Sequence, residues 1–174
     1  FMGYGSDNIG GSGGDTIFVT NLNNSGLGSL RKALEVDSSR IIEFLVNGEI
    51  VLKSPIVISS GDLTINGPIH DKVGITLLNY GLQFIENCSN VIIRDLRIKA
   101  GKGGTTAAGD CLAFHADSDG SINNILVDHC SLMWASDEIF ETYGKVDNLT
   151  CQYSIIAEAE DQFNPMGGRN GRGW

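Results

Sequence analysis

The sequence has no long apolar run. No segment approaches the roughly 20 consecutive apolar residues that a membrane-spanning helix needs, although 41% of the 174 residues are hydrophobic. The chain also does not open with the basic, apolar leader of a secretory signal peptide. We therefore expect a soluble protein without a membrane span, from which any signal peptide has already been removed.

Positive charge is scarce as well. The chain has 12 Lys and Arg residues against 21 Asp and Glu residues, for a formal net charge of −9. A surface of this sign does not attract phosphate backbones or acidic lipid headgroups, so we predict no nucleic-acid partner and no membrane partner. An anionic polysaccharide is compatible with this charge only if a bound cation bridges it to the protein.

Helix-length amphipathic stretches are almost absent, and proline is rare. The chain has 3 Pro but 23 Gly residues, and its apolar residues form short runs bounded by Gly, Asn, Asp or Ser. This pattern predicts many short strands and turns. The exception is a predicted short helix that follows Ser29, a plausible N-cap, with Leu30 and Leu34 on one face.

The length predicts a single domain over residues 1–174, because 174 residues suffice for one core but not for two. The short strand-like runs predict that this domain is all-β. Within it we predict a strand and the helix over residues 1–39, repeated coils over 40–156 and an irregular tail over 157–174.

Three segments share a pattern that indicates a solenoid. Each has an Asn, three strand residues, a polar bend and renewed alternation, and they start at Asn90, Asn124 and Asn148. Spacings of 34 and 24 residues fit coils that share a core and differ in loop length. A β-sandwich would also contain many short strands, but Asn-Gly and Asp-Gly hairpin turns are few here. We predict a right-handed parallel β-helix.

The four cysteines, Cys88, Cys111, Cys130 and Cys151, lie in or beside apolar runs. These positions favour buried free thiols. Two disulfides in an oxidising compartment are the alternative.

Acidic residues follow the apolar stretch of residues 125–134. Asp137 and Glu141 are four residues apart, so a turn there would bring their carboxylates to one hard cation such as calcium. Asp128 and His129 come directly after a strand of the repeat, and we predict that they make hydrogen bonds between coils. His115 has no acidic or nucleophilic partner at an informative spacing, and we predict a surface or loop role for it.

Two segments resemble the signatures of a known family. Residues 10–31 have the sequence GGSGGDTIFVTNLNNSGLGSLR, which resembles the N-terminal signature of bacterial pectate lyases of polysaccharide lyase family 1. Residues 127–131, VDHCS, are similar to that family's central Asp-His motif. The resemblance extends over about residues 5–158. It implies a right-handed parallel β-helix capped by its N-terminal helix, and a secreted enzyme that cleaves polygalacturonate by calcium-dependent β-elimination.

The resemblance also implies a set of calcium ligands. Carried over by position, they are Asp110, Asp137 and Glu141. A second acidic residue often precedes the first ligand by two positions, where this chain has Ala108. Water, Glu138 or a substrate carboxylate can complete the coordination. In such enzymes the cation stabilises the enolate-like transition state that forms when the C5 proton leaves a uronate.

The family's catalytic arginine and substrate-holding lysine have no counterparts at the expected positions. The lysine position falls near Asp161, and the arginine would lie on a later coil, beyond Trp174. Arg169 and Arg172 are too close to Ile156 to occupy that coil in register. The catalytic residue is therefore unknown, and the chain is a short form, a fragment, or a scaffold that has lost the chemistry.

A basic cluster precedes the acidic second half of the chain. Its members are Arg94, Arg97, Lys99 and Lys102. Alternate spacing places Arg97 and Lys99 on one side of a strand, where they can meet uronate carboxylates. We predict that these two residues bind substrate; a solvated face is the alternative.

Three functions are compatible with these observations. The leading one is a pectate lyase-like protein that acts with Ca²⁺ on polygalacturonate or pectin outside the cell. The second is a catalytically inactive β-helix that binds acidic glycans. The third is a structural extracellular fibre, because a β-helix with an open sheet edge can assemble end to end.

Overall fold

The structure is a computed structural model that describes residues 2–69, 73–101, 109–117, 119–160 and 173. Predictions that rest on Lys102, Ala108, Asp161, Arg169, Arg172 and Trp174 lie outside these residues. In the described ranges the chain forms one short helix, α1 (Leu30–Leu34), and the following strands: β1 (Asp15–Val19), β2 (Arg40–Phe44), β3 (Gly48–Val51), β4 (Ile56–Ile58), β5 (Leu63–Asn66), β6 (Ile75–Leu78), β7 (Leu82–Ile85), β8 (Val91–Arg94), β9 (Leu96–Lys99), β10 (Leu112–Ala116), β11 (Ile122–Asp128), β12 (Ser131–Met133), β13 (Phe140–Gly144), β14 (Val146–Gln152) and β15 (Ile155–Ala157).

The strands form three parallel sheets that the chain visits in turn. Sheet A has the order β1-β2-β5-β8-β11-β14, sheet B the order β15-β12-β9-β6-β3, and sheet C the order β13-β10-β7-β4. Each strand pairs with the strand one coil earlier or later in the same sheet, and every pairing is parallel. The predicted parallel β-helix is confirmed.

The asparagine repeat sets the register of sheet A. Val91, Ile125 and Leu149 are paired in register, so the three asparagines that precede them are stacked. The Asn124 amide donates to Asn90 Oδ1 at 3.0 Å, and the Asn148 amide donates to Asn124 Oδ1 at 3.3 Å. All three have positive φ, between 54° and 59°, which asparagine tolerates better than most residues. The predicted overlay of these three segments is therefore correct.

The core is a column of inward side chains between the three sheets. On sheet C, Phe84 stacks on Phe114 with ring centroids 4.8 Å apart, and Phe140 follows at 6.0 Å from Phe114. All three rings are fully buried. Because alternate residues of a strand face opposite sides, the neighbours of these rings along β10 and β13 project outward.

The helix covers the first coils, as predicted. The Ser29 hydroxyl caps it by accepting from Lys32 N, and Leu30, Ala33 and Leu34 are buried. Arg40, which sequence reasoning did not single out, is fully buried below the helix. Its guanidinium donates to the carbonyl oxygens of Ser38, Gly61, Leu34 and Ser60, so it joins the end of the helix to the first coils.

A glycine-rich segment, residues 2–14, crosses the outer face of sheet A; we call it the N-terminal strap. It covers Thr64, Ile92 and Leu126, which face away from the core and are nevertheless buried. Gly5 N donates to Thr150 Oγ1 at 2.8 Å and Gly11 N donates to Thr64 Oγ1 at 3.0 Å.

Glycine is required where the strap approaches the strands. A Cβ atom on Gly11 would overlap the backbone of Arg40, so no residue with a side chain can be accommodated at this position. The sequence showed the glycines but not the reason for them.

No disulfide joins the four cysteines. Cys88, Cys111 and Cys130 are buried thiols, and Cys151 is half-buried. Burial raises the pKa of each of the three buried thiols to about 12, because the interior disfavours a thiolate. Within the described part of the chain, no helix has the length and apolar character needed to cross a membrane.

Candidate metal centre

Two neighbouring strands of sheet C bring together acidic residues that are far apart in the sequence. Strands β10 and β13 pair with Leu112 opposite Phe140 and Ala113 opposite Glu141. Leu112 and Phe140 point into the core, so Glu141 projects outward. Asp110 lies two residues before β10, and Asp137 and Glu138 lie in the turn that leads into β13. The same end of both strands therefore carries all four carboxylates.

The carboxylates form a compact group, which we call the carboxylate centre: Asp110, Asp137, Glu138 and Glu141. Ligand atoms of Asp110, Asp137 and Glu138 all lie within 4.8 Å of one another, and so do those of Asp110, Glu141 and His115. Asp110 belongs to both sets. Of the three residues expected to bind calcium, Asp110 therefore lies near Asp137 in one set and near Glu141 in the other, and the structure adds Glu138 and His115; binding of a cation by them stays a prediction.

Backbone contacts hold the two turns of the centre against each other. Glu138 N donates to Asp110 Oδ1 at 3.0 Å, and Gly109 N donates to the Ser136 hydroxyl at 3.2 Å. Ser136 is buried. Asp110 is therefore fixed by the turn of the following coil, which leaves its second carboxylate oxygen for another partner.

The electrostatics show that negative charge is poorly compensated in the centre. The pKa of Asp110 is raised to about 6, mainly by burial and then by the charges of Glu141 and Asp137, against the opposing effect of the Glu138 N–H. The pKa of Glu138 is raised to about 7, mainly by burial and then by a hydrogen bond and the charge of Asp137. A divalent cation would relieve this repulsion.

His115 lies beside the centre, half-buried on the outer face of sheet C, so the predicted surface role fits and the loop alternative does not. It lies on β10, two residues beyond Ala113, and its Nε2 contacts Glu141 Oε2. Its Nδ1 lies 3.0 Å from Gln83 Nε2 on β7. The contact with Glu141 was not predicted because the two residues are 26 positions apart and meet only through the register of β10 and β13; no local signal in the sequence gives that register.

Arg97 and Lys99 lie on another sheet. Both are on β9 of sheet B and face outward, since the alternate residues Leu96 and Ile98 are buried. The Arg97 guanidinium donates to Val73 O, and Lys99 Nζ lies 4.6 Å from the centroid of the Trp134 ring. Their predicted position on one side of a strand is correct, but the structure does not bring them into the carboxylate centre.

Trp134 lies at the corner where β12 ends, and it is 42% exposed. Its φ is 64°, which is uncommon for a bulky residue. Its indole N–H donates to Glu158 Oε2 at 2.7 Å. The exposed Trp134 ring and Lys99 form one surface patch. Trp134 precedes Asp137 by three residues in the chain.

Asp128 links neighbouring coils, as predicted, whereas the His129 Nδ1 lies 2.9 Å from Asp128 Oδ1 of its own coil and the backbone of His129 makes the bond to the next coil. The Gln152 amide donates to Asp128 Oδ1 at 3.0 Å, and His129 N donates to Gln152 O at 3.2 Å. The His129 ring stacks on Tyr153 at 5.1 Å. These residues lie at the corner between sheets A and B and do not belong to the carboxylate centre.

Comparison with known proteins shows several relatives. No protein-family model matches the sequence. The chain is 40% identical over 156 residues to proteins named probable pectate lyase C from Neosartorya fischeri and Aspergillus fumigatus, which covers 90% of this chain and 35% of each relative. It is 34% identical over 134 residues to pectate lyase plyB of Emericella nidulans. The chain spans about a third of the length of these curated relatives.

A solved structure shares the fold. The crystal structure of Jun a 1, the major allergen from cedar pollen, superposes with a TM-score of 0.73 at 25% sequence identity. The match covers 87% of this chain and 47% of the allergen.

Proposed function

Because the chain belongs to the family of pectate lyase-like parallel β-helix proteins, we propose that its carboxylate centre binds Ca²⁺ and supports β-elimination of polygalacturonate. One observation carries the proposal: four carboxylates from two successive turns converge at the outer face of sheet C, although Asp110 and Glu141 are separated by a whole coil. We further propose that the protein acts outside the cell, where acidic plant polysaccharides occur.

The donor set fits calcium. Ca²⁺ takes six to eight oxygen ligands in flexible geometry, and Asp110, Asp137, Glu138 and Glu141 offer only oxygen. Burial, and after it the repulsion between these groups, raises the pKa values of Asp110 and Glu138, and a bound cation would offset both effects. Bound Ca²⁺ would supply charge stabilisation for the enolate-like transition state of a uronate.

The chain's own residues would determine where the substrate lies. The outward row of sheet C contains Val57, Gln83, Ala113 and Glu141 in register, so a chain of sugars along the coils would run over this row. Exposed Tyr143 lies one row further along β13, with its ring 6.1 Å from that of His115. No catalytic base is assigned.

Substrate binding by Arg97 and Lys99 stays a proposal. Because both residues lie on β9 of sheet B, they would contact a part of the polysaccharide other than the sugar at the carboxylate centre. Lys99 already lies over Trp134, so Lys99 and Trp134 would form one contact surface for the polysaccharide.

The test is an assay with polygalacturonate and the full chain, with Ca²⁺ and then with chelator. We expect ultraviolet absorbance from the unsaturated product, loss of this signal with chelator, and loss of it in the Asp137→Asn, Glu141→Gln double variant. If no product forms at high protein concentration, catalysis by this chain is refuted. Calcium-dependent glycan binding without product would indicate the second function, an inactive β-helix that binds acidic glycans. Ordered polymers in negative-stain microscopy would indicate the third function, a structural fibre.

A further inference from the structure

Three polar side chains form a line across the outer face of sheet C and end at the carboxylate centre. Gln83 lies on β7, His115 on β10 and Glu141 on β13. Gln83 Nε2 is 3.0 Å from His115 Nδ1, and His115 Nε2 contacts Glu141 Oε2. All three side chains are half-buried, so water does not fully replace these contacts.

The chemistry of the groups gives the line a direction. The Gln83 Nε2 amide can only donate, so His115 Nδ1 must accept. A neutral imidazole that accepts at Nδ1 carries its proton at Nε2. His115 Nε2–H therefore donates to the Glu141 carboxylate, which can only accept, so Gln83 and Glu141 both favour the same form of the ring.

The position of the His115 proton affects metal binding. A protonated Nε2 has no lone pair, so His115 does not act as a ligand while it donates to Glu141. Without the Gln83 contact, only Glu141 holds the proton at Nε2. When Glu141 turns to a cation, the proton can then move to Nδ1, and Nε2 becomes a nitrogen donor within 4.8 Å of ligand atoms of Asp110 and Glu141. Nitrogen donors favour first-row transition metals, whereas Ca²⁺ prefers oxygen alone.

We propose that Gln83 and His115 are positioning residues, which orient Glu141 and keep the donor set of the carboxylate centre all-oxygen. Gln83 is thereby a determinant of metal selectivity, although it is not a ligand. The inference rests on the proposed function, since it assumes that the centre binds Ca²⁺.

The first test needs no metal. Long-range ¹H–¹⁵N correlation spectra of the full chain, recorded in chelator above pH 7.5, report which ring nitrogen carries the proton. The chain has three histidines, and His115→Gln identifies the His115 signals by their loss. We expect the Nε2–H form in the wild type and a mixture of forms in Gln83→Leu. An Nδ1–H form in the wild type would overturn the proposal.

The second test is calcium affinity by calorimetry. Removal of a residue that orients a metal ligand costs about 10-fold or more in affinity, so we expect Gln83→Leu and His115→Leu to bind Ca²⁺ about 10-fold more weakly. His115→Gln should recover most of the loss, because the glutamine amide can donate to Glu141. Gln152→Leu is the matched control, since it removes a glutamine side-chain hydrogen bond, here to Asp128 on sheet A, and should not change the affinity.

Cobalt provides the selectivity readout. We expect Gln83→Leu, but not the wild type, to bind Co²⁺ with visible absorption bands and a paramagnetic shift of the His115 ring signals. Equal Ca²⁺ affinities and equal Co²⁺ spectra in all variants would overturn this inference and leave the proposed function intact. Failure of the wild type to bind Ca²⁺ would instead refute the proposed function, and the positioning role with it.

Discussion

At the scale of single residues, the raised pKa of Asp110 makes the protein's stability depend on pH. Its folded pKa is about 6, against an ordinary value of 3.8 for an aspartate, so the native state binds more protons than the unfolded state between these values. Stability then falls as pH rises through this window. Glu138, with a pKa of about 7 against 4.5, acts in the same direction up to neutral pH.

We therefore predict that Asp110→Asn stabilises the metal-free protein. The asparagine oxygen can still accept from Glu138 N, while the repulsive charge is gone. Above pH 7, in chelator, the free energy of unfolding should rise by about 1 kcal/mol. The pKa shift of Asp110, at about 1.36 kcal/mol per pKa unit, sets an upper limit to this gain. The expected gain is smaller than the limit because solvent partly screens the group. Urea unfolding at pH 4, 6 and 8 measures this difference, which should be smallest at pH 4. Destabilisation at pH 8 would contradict it.

The cysteines give a second prediction at this scale. Cys88, Cys111 and Cys130 are buried and their pKa values are raised to about 12, so they should not react with a thiol reagent in the native protein. Cys151 is half-buried, with a pKa raised mainly by burial, and should be modified first. Mass spectrometry of alkylated native protein measures the order; early labelling of Cys111 would be inconsistent with its position.

At the scale of elements, the N-terminal strap holds several coils together. Asn8 is its main anchor, because its buried amide donates to Val91 O at 2.8 Å and to Asn124 O at 2.5 Å. Its side-chain oxygen accepts from Gly10 N. One residue thus joins the strap to two coils of sheet A.

We predict that Asn8→Ala lowers the free energy of unfolding by about 2 kcal/mol, since it leaves buried backbone carbonyls without donors. Hydrogen exchange should become faster in the strap and at the sheet A strands below it. Ser6→Ala is the control, because Ser6 is an exposed residue of the same strap and should change stability by less than about 0.5 kcal/mol. Equal effects of the two substitutions would show that the strap does not stabilise the coils.

Local and periodic features of the sequence predicted several elements of the fold. The cap at Ser29, the leucines of α1 and the spacing of Asn90, Asn124 and Asn148 are local or periodic signals, and each predicted its structure correctly. The contact of His115 with Glu141 depends on coil length and strand register, which no single segment encodes. The strap contacts join residues up to 150 positions apart, so the glycines were visible in the sequence but their partners were not.

At the scale of the whole molecule, calcium should stabilise the fold. The carboxylate centre exists only when β10 and β13 are paired, so a cation binds the native state and not the unfolded chain. At a free Ca²⁺ concentration 100 times Kd, the free energy of unfolding should rise by about 2.7 kcal/mol.

Thermal unfolding in Ca²⁺ and in EGTA measures this effect. The Asp137→Asn, Glu141→Gln double variant is the control and should show little difference between the two conditions. A wild-type midpoint that does not depend on Ca²⁺ would mean that the centre does not bind the ion in the native protein.

The strap also affects the order in which the protein folds during synthesis. Its residues leave the ribosome before the coils, but Thr150, which accepts from Gly5 N, follows 145 residues later. At about 5–20 residues per second, the part of the strap around Gly5 waits roughly 7–30 s for this partner. The earlier coils can therefore stack, and accept Gly11 and Asn8 of the strap, before the contact at Gly5 becomes possible.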